Sequence, residues 1–212
     1  MDIKKLTKGN KKFRNNNFPK LQGKFGSLVE NGQKPNILFI GCSDSRVVPD
    51  LIVNSKPGDM FIVRNIANFV PPYKSDNDYH GVTSAIEYAV HVLKVKDIIV
   101  CGHSHCGGCA ALYDDLDNTH ELQHVKKWLE LGKKAKEETL AHIPYKKKNK
   151  SKILRATEKA SVKHQVENLL TYPSIEKKVK KGDLKLHAWY YKIEDGTIEF
   201  YDKKSDKFKQ LK

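Results

Sequence analysis

Three short apolar runs, two of them separated by a helix-like stretch, constrain the fold of this chain more than any other feature of its sequence. The runs are 36–42 (NILFIGC), 60–63 (MFIV) and 97–102 (DIIVCG). Each lacks alternating polarity, which is typical of a strand that is buried on both faces. Residues 81–93, between the second and third runs, carry apolar side chains at helical spacing. This order predicts a β-α-β unit and therefore a parallel sheet with helices on both faces.

The second half of the chain is predicted to add helices and a pair of strands. Helical periodicity extends over 122–136 and over 153–170, and the second helix should end before Pro173 because proline cannot continue a helix. Residues 184–193 and 197–201 are predicted strands, joined by the turn sequence EDG at one edge of the sheet. The predicted fold class is α/β, with a central, mostly parallel sheet flanked by helices and a late edge strand or hairpin.

Length and composition favour a single domain. The 212 residues can enclose one sizeable core, and no change in composition marks a second. We expect one domain over 1–212, with an N-terminal helical arm over about 1–30. No apolar run approaches the ~20 residues that cross a membrane, and no secretory signal is recognisable. A cytoplasmic protein that does not enter a membrane is the expectation.

The formal net charge of +14 raises the question of an anionic partner, since polycations gain affinity for nucleic acids by releasing counterions. The lysines are spread over the N-terminal arm, residues 146–150 and the C-terminal tail. No groove-reading helix or aromatic platform accompanies them. We therefore favour a solvated basic surface over a specific nucleic-acid role, which stays open as an alternative.

Cysteine and histidine residues follow two of the predicted strands. Cys42 ends the first run, and His103 and Cys106 follow the third. Because the carboxyl ends of parallel strands open on one crevice, these side chains can converge there. Two thiolates and one imidazole suit zinc best and leave its fourth position free for water or substrate. Gly107, next in sequence, lets the backbone pass close to a metal.

Other interpretations of these residues remain open at this point. The thiols and the imidazole can simply be buried core groups, and spacing alone does not decide between core and metal. Cys106 and Cys109 have the spacing of a redox pair, and Cys101 can join a four-cysteine site. Asp44 and Arg46 are close enough for a bidentate salt bridge, which is also common in ordinary loops.

The segment 42–46 (CSDSR), with His103 and Cys106 farther along, resembles the paired signature of the β-class carbonic anhydrases. The resemblance extends over almost the whole chain, because further similar segments follow in the same order. These segments are 6–10, 57–58, 63–68, 85–90, 165–169 and 187–191. Each is weak alone, but together they make a chance similarity very improbable.

The resemblance implies a lyase that binds one Zn²⁺ per chain through Cys42, His103 and Cys106. A zinc-bound hydroxide would attack carbon dioxide, and bicarbonate would then leave. The resemblance also implies that Arg46 holds Asp44 away from the zinc, so that the Asp44 carboxylate can orient the hydroxide. We expect carbon dioxide and bicarbonate as the small-molecule partners, with no membrane and no specific nucleic acid.

A substrate pocket is implied as well. Gln33 matches a glutamine that donates to a substrate oxygen. Phe61, Ile66 and Tyr88 match an apolar wall beside the zinc, and we place Gly107 in the same pocket. Part of this wall comes from a partner subunit in the family. The resemblance therefore implies a homodimer or tetramer in which the N-terminal segment packs on the neighbouring subunit.

Two alternatives lie within the same family fold. In some members, the residue that corresponds to Asp44 becomes the fourth zinc ligand and closes the site. A separate, non-catalytic bicarbonate site, which includes a Trp, is associated with this change between the open and closed forms. This chain has Phe39 at that position, which favours an open site, whereas Arg64 and Tyr191 match two other residues of the bicarbonate site. Some relatives instead hydrolyse carbon disulfide.

Overall fold

A six-stranded sheet forms the centre of the fold in the computed structural model, which describes residues 1–76, 78–114, 116 and 120–211. The strands are β1 (Ile37–Cys42), β2 (Met60–Asn65), β3 (Asp97–His103), β4 (Lys185–Tyr191), β5 (Ile198–Asp202) and β6 (Lys207–Gln210). Their spatial order is β2-β1-β3-β4-β5-β6. The first four strands pair in parallel and the last two are antiparallel. This confirms the predicted fold class and the late hairpin at one edge.

Helices flank the sheet and extend the chain at its N-terminus. They are α1 (Ile3–Lys12), α2 (Phe18–Asn31), α3 (Pro49–Val53), α4 (Gly81–Glu87), α5 (Gly107–Ala111), α6 (Gln123–Leu129), α7 (Lys133–His142), α8 (Lys150–Leu169) and α9 (Pro173–Lys180). A π segment joins α1 to α2, and another, Tyr88–Leu93, continues α4. Among the described residues, no helix is both long enough and apolar enough to cross a bilayer.

Three details differ from the sequence expectation. The second strand is only partly buried, because it lies at the edge of the sheet and pairs with β1 alone. Pro173 does end α8, but it also begins α9, since proline suits the first turn of a helix. Strand β6, with the sequence KFKQ, was missed because it is short, polar and exposed on most of its length.

The two faces of the sheet are covered to different degrees. Side chains alternate between the faces along each strand, so Leu38 and Ile40 join the main core under α4, α8 and α9. Phe39, Ile99 and Cys101 point to the opposite face. Around them lie partly exposed apolar side chains: Ile37, Met60, Ile62, Trp189 and Tyr191. This second face is thus apolar but incompletely covered by the chain's own helices.

The N-terminal arm is helical, as expected, but it buries none of its helical side chains. Neither α1 nor α2 contains a buried residue. Apolar side chains on the arm are open to solvent, with Ile3, Leu6 and Val29 exposed by 74%, 53% and 84%. An amphipathic segment of this kind ordinarily buries its apolar stripe against another surface.

Helix α8 approaches the end of β3 very closely. A Cβ atom added at Gly102 would lie 2.3 Å from Cγ2 of Val162 and 3.7 Å from the carbonyl oxygen of Glu158. Val162 is fully buried, so it has little room to move. The absence of a side chain at Gly102 therefore sets the distance between α8 and the strand that ends at His103.

We expect Gly102→Ala to lower the free energy of unfolding by about 1–3 kcal/mol, because the added methyl overpacks the β3–α8 contact. Equilibrium denaturation of the metal-free protein measures this change. Gly23→Ala is the matched control, since a Cβ there meets nothing within 4 Å and the residue lies inside α2. Stability should be unchanged or higher in the control by up to ~1 kcal/mol. Equal denaturation midpoints for Gly102→Ala and wild type would contradict the proposed crowding.

Candidate metal centre

The topology brings three potential metal ligands together at one end of the sheet. Cys42 is the last residue of β1 and His103 the last of β3, and these strands are parallel neighbours. Cys106 precedes α5 as its N-cap. One ligand atom from each of the three residues lies within 4.8 Å of the other two, and all three residues are buried. The carboxyl ends of two adjacent strands therefore hold a compact Cys-His-Cys group.

The imidazole of His103 is oriented toward this group by the backbone. Its Nδ1 atom lies 2.9 Å from the carbonyl oxygen of Ser104, an acceptor that fixes the proton on Nδ1. Its Nε2 atom is buried and has no hydrogen-bond partner. A buried nitrogen lone pair without a partner is costly unless a cation or donor meets it. His103 therefore has the tautomer and the unmet acceptor of a metal ligand.

The two thiols are close enough to oppose each other's ionisation. A hydrogen bond with Cys106, ahead of burial, raises the pKa of Cys42 to about 12. A hydrogen bond with Cys109 raises the pKa of Cys106 well above the ordinary thiol value. The backbone N–H of Asp44 donates to Sγ of Cys42 at 3.4 Å, which favours the thiolate form. Two thiolates can coexist here only with a cation between them, and the soft donor set fits zinc.

Asp44 and Arg46 form the bidentate pair that their spacing suggested. Nε of Arg46 donates to Oδ1 of Asp44 at 2.9 Å, and Nη2 donates to Oδ2 at 2.7 Å. The hydrogen bond from Arg46 holds the pKa of Asp44 well below its usual range, so the carboxylate is ionised at physiological pH. Arg46 also donates to the carbonyl oxygen of His105 at 2.9 Å. Asp44 thus faces the guanidinium and is not one of the three clustered ligands.

Other contacts to the loops around these ligands were not predicted. Arg64 donates to the carbonyl oxygens of Cys42 and Asp44 at 3.0 and 2.8 Å. The buried Ser104 hydroxyl donates to Glu194 and accepts the N–H of Ile193. These bonds join segments far apart in the chain, so no local spacing could indicate them.

A buried glutamate was also missed by sequence reasoning. Glu158, on α8, accepts the backbone N–H of Cys106 at 3.0 Å. Burial raises the pKa of Glu158 to about 7. Its only sequence signal is an acidic residue within a long helix, and this signal is too common to identify a site.

The residues predicted for the substrate pocket do not all converge in one chain. Gly107 begins α5 directly after Cys106, and Ile66 lies beside α5, where it would be 3.1 Å from a Cβ at Gly108. Phe61 and Tyr88 instead contact each other, with ring centroids 5.8 Å apart. Phe61 packs against the main core, and Tyr88 is 45% exposed.

Gln33 lies exposed between α2 and β1. A cleft of about 630 Å³ opens beside the metal loop, with Ser43, Ile66 and Trp128 among its lining residues. Nε1 of Trp128 donates to the carbonyl oxygen of Ile66 at 2.9 Å, which fixes one wall of this cleft. The lining of this cleft combines apolar side chains with polar ones such as Arg64 and His80.

The other two cysteines do not extend the metal group. Cys101 points to the opposite face of the sheet, where it packs with Phe39 and Ile99. Cys109 is buried on α5 beside Cys106 but lies outside the cluster that the described residues form. The four-cysteine alternative is therefore wrong.

Comparisons with known proteins agree with this geometry. A family model described as Carbonic anhydrase matches residues 37–198. A carbonic anhydrase of Synechocystis sp. is 38% identical over 94% of this chain and 71% of its own length. The solved β-carbonic anhydrase CcaA has a TM-score of 0.88 and 36% identity, with 99% of both chains covered. This chain belongs to the β-class carbonic anhydrases.

Membership in this family confirms the resemblance that was inferred from the sequence. The carbonic anhydrase catalyses the reversible hydration of carbon dioxide to bicarbonate, which makes it a lyase. The alternatives of a non-catalytic binding protein or a carbon disulfide hydrolase are not favoured. A tetrameric β-carbonic anhydrase of Sordaria macrospora is a further neighbour, with a TM-score of 0.69 and 33% identity over 93% of this chain and 92% of its own.

The raised thiol pKa values predict that zinc affinity depends steeply on pH. Cys42 and Cys106 are both protonated in the metal-free protein near neutral pH, and each must release a proton to bind metal. The logarithm of the apparent affinity should therefore rise by about 2 per pH unit. Competition with a chromophoric chelator across neutral pH measures this slope.

Cysteine variants make that measurement specific. Cys106→Ser should weaken zinc binding severely and reduce the slope to about 1, because only one thiol remains to lose a proton. Cys101→Ser is the control, as this buried thiol lies in a different cluster, and it should retain the wild-type slope. A pH-independent affinity in wild type would count against thiol ligation.

Proposed function

We propose that this carbonic anhydrase binds one Zn²⁺ per chain through Cys42, His103 and Cys106. The observation that carries the proposal is the convergence of two buried thiols and a buried, unpartnered imidazole nitrogen within 4.8 Å. Bound zinc supplies a Lewis acid that makes a water molecule nucleophilic near neutral pH. Three protein ligands leave one tetrahedral position for that water, which distinguishes a catalytic from a structural centre.

In this proposal, Asp44 and Arg46 orient the attacking water. The Asp44 carboxylate stays ionised because of its bidentate bond to Arg46, so it can accept a hydrogen bond from the water next to the ligand cluster. Arg46 in turn is anchored to the carbonyl oxygen of His105. This anchor supports an arrangement in which Asp44 remains off the metal and the site remains open.

We further propose that the substrate pocket is completed by a second copy of the chain. Ile66 and Gly107 lie beside the metal group, whereas Gln33, Phe61 and Tyr88 lie away from it. An apolar wall suits carbon dioxide, which has no net charge, and Gln33 would supply a donor to a substrate oxygen. The exposed positions of Gln33 and Tyr88 support contribution to a neighbouring subunit's pocket.

A homodimer or tetramer would also cover the surfaces that one chain leaves open. The N-terminal arm exposes apolar side chains, and the second face of the sheet is partly exposed around Ile62. We propose that the arm of one copy packs on another copy, and that residues 1–212 form one domain. The reduced thiols required for zinc binding support a cytoplasmic location.

Sedimentation velocity of the full chain tests the assembly. The molecular mass of wild type from this measurement should be two or four times the 24.2 kDa of one chain. Ile62→Lys, on the partly exposed sheet face, should shift the population to monomer because a buried lysine is costly in an interface. Val92→Lys, on the helical side of the sheet and 59% exposed, should leave the assembly intact. A wild-type monomer would refute the proposed oligomer.

Stopped-flow hydration of carbon dioxide tests the roles of the site residues. Asp44→Asn should lower kcat/KM by about 100-fold or more, since the amide cannot replace an ionised acceptor. Zinc content should remain at one per chain, because Asp44 is not a proposed ligand. Asp50→Asn, in α3, is the control and should retain wild-type activity. Full activity of Asp44→Asn would remove Asp44 from the mechanism.

A further inference from the structure

The most deeply buried carboxyl group near the metal loop has no role in the mechanism described above. The side chain of Glu158 is only 1% exposed. It lies on α8, a helix that contributes none of the proposed metal ligands. Burying a carboxyl group is costly unless its oxygens are satisfied, so its position calls for a reason beyond packing.

Every contact of this carboxyl group leads to or supports the metal loop. Oε1 accepts the backbone N–H of Cys106 at 3.0 Å and also accepts Nη2 of Arg155. Oε2 accepts the hydroxyl of Tyr190, on β4, at 2.7 Å. Arg155 lies one helical turn before Glu158 on the same helix and supplies the opposite charge. Side chains from α8 and β4 thus fix the carboxyl group, and the carboxyl group in turn fixes the backbone of Cys106 just before α5.

The backbone at Cys106 has few other constraints. Cys106 precedes a helix of only five residues and has no side-chain cap. His105 before it has a φ of +59°, an unfavourable conformation for a non-glycine residue, and two glycines follow. The Cys106 N–H bond to Glu158 is therefore a long-range tether at the start of a short helix, where the Cys106 carbonyl oxygen accepts the N–H of Ala110 at 3.0 Å.

Apart from the local bond between Ala110 and the Cys106 carbonyl oxygen, the other hydrogen bonds of this loop act on different residues. Ser104 is bound to Glu194 and Ile193, and the carbonyl oxygen of His105 is bound to Arg46. Among the described residues, Glu158 is the one side chain that accepts the backbone N–H of Cys106. The close approach of α8 at Gly102 is what brings the carboxyl group within reach.

We propose that Glu158 is a positioning residue that fixes the backbone of Cys106 and so aims its sulfur at the metal. Through this contact, the network of the buried Glu158 and Tyr190 with the partly exposed Arg155 sets metal affinity in addition to stabilising the fold. The inference rests on the proposed metal site. Outer groups that orient metal ligands typically change affinity by about 10- to 100-fold when they are altered.

Glu158→Gln tests the proposal, because the amide keeps the size of the side chain but replaces one acceptor oxygen with a donor. Zn²⁺ affinity, measured by chelator competition, should fall by about 10- to 100-fold. In the Co²⁺-substituted protein, the thiolate-to-cobalt charge-transfer band should shift or weaken. Both readouts report on the sulfur at the metal and are independent of catalytic activity.

Gln165→Met is the matched control for loss of stability. Gln165 is fully buried on the same helix, and its Oε1 accepts the backbone N–H of Val70 at 2.7 Å. The control should lower the free energy of unfolding of the metal-free protein but leave Zn²⁺ affinity and the cobalt spectrum unchanged. Equal losses of affinity in both variants would reduce Glu158 to a structural role and overturn the proposal.

A second variant keeps the test decisive if Glu158→Gln does not fold. Tyr190→Phe removes one donor to the carboxyl group but retains Glu158 and the aromatic ring, and it should weaken Zn²⁺ binding in the same direction. Wild-type affinity and an unchanged cobalt spectrum in the folded variants would refute the positioning role. Failure of wild type to bind Zn²⁺ at all would instead refute the metal site itself.

Discussion

The structure depends on the parallel pairing of β1 with β3, because this pairing alone brings the first thiol to the imidazole. Gly41 lies opposite Cys101 in the register, so the two strands end within one residue of each other at Cys42 and His103. Neighbouring strands are about 4.8 Å apart, which is the scale of a metal coordination sphere. A different register would move the end of β3 along β1 and separate Cys42 from His103.

Electrostatics then shape what the ligand cluster can do. A hydrogen bond with Cys106 raises the pKa of Cys42, and one with Cys109 raises the pKa of Cys106, so both thiols would need a nearby cation to ionise near neutral pH. The surrounding arginines act on the loops and not on the thiols directly. Arg64 binds the carbonyl oxygens of the Cys42 loop, and Arg46 binds Asp44. Charged side chains therefore fix the backbone around the site while the site itself stays available to a metal and a small substrate.

The unequal coverage of the sheet connects the centre to the proposed assembly. One face is sealed by α4, α8 and α9, and α8 also carries the buried network that reaches Cys106. The opposite face and the N-terminal arm both leave apolar surface in contact with water. One chain thus holds the complete ligand cluster, whereas Phe61 and Tyr88 pair with each other away from it.

The sequence by itself determined the parallel strands, the crossover helix and the three candidate ligands. Continuous apolar runs bounded by turn residues favour strands, although the edge strand β2 is only partly buried, and a Cys-His-Cys set at strand ends suits a metal. The short polar strand β6 and the helix that begins at Pro173 were missed, because weak local patterns depend on neighbours for their stability. Spacing suggested the Asp44–Arg46 pair but could not establish it.

Only the tertiary structure decided how the ligands are held. The tether from Glu158 to Cys106 and the bond from Ser104 to Glu194 depend on contacts between distant segments. The same holds for the separation of Cys101 from the metal group, since Cys101 packs with Phe39 and Ile99 in a different cluster. Local sequence encodes which groups are available and the strands that carry them. Hydrogen bonds across long chain separations set their geometry, and no spacing along the sequence records them.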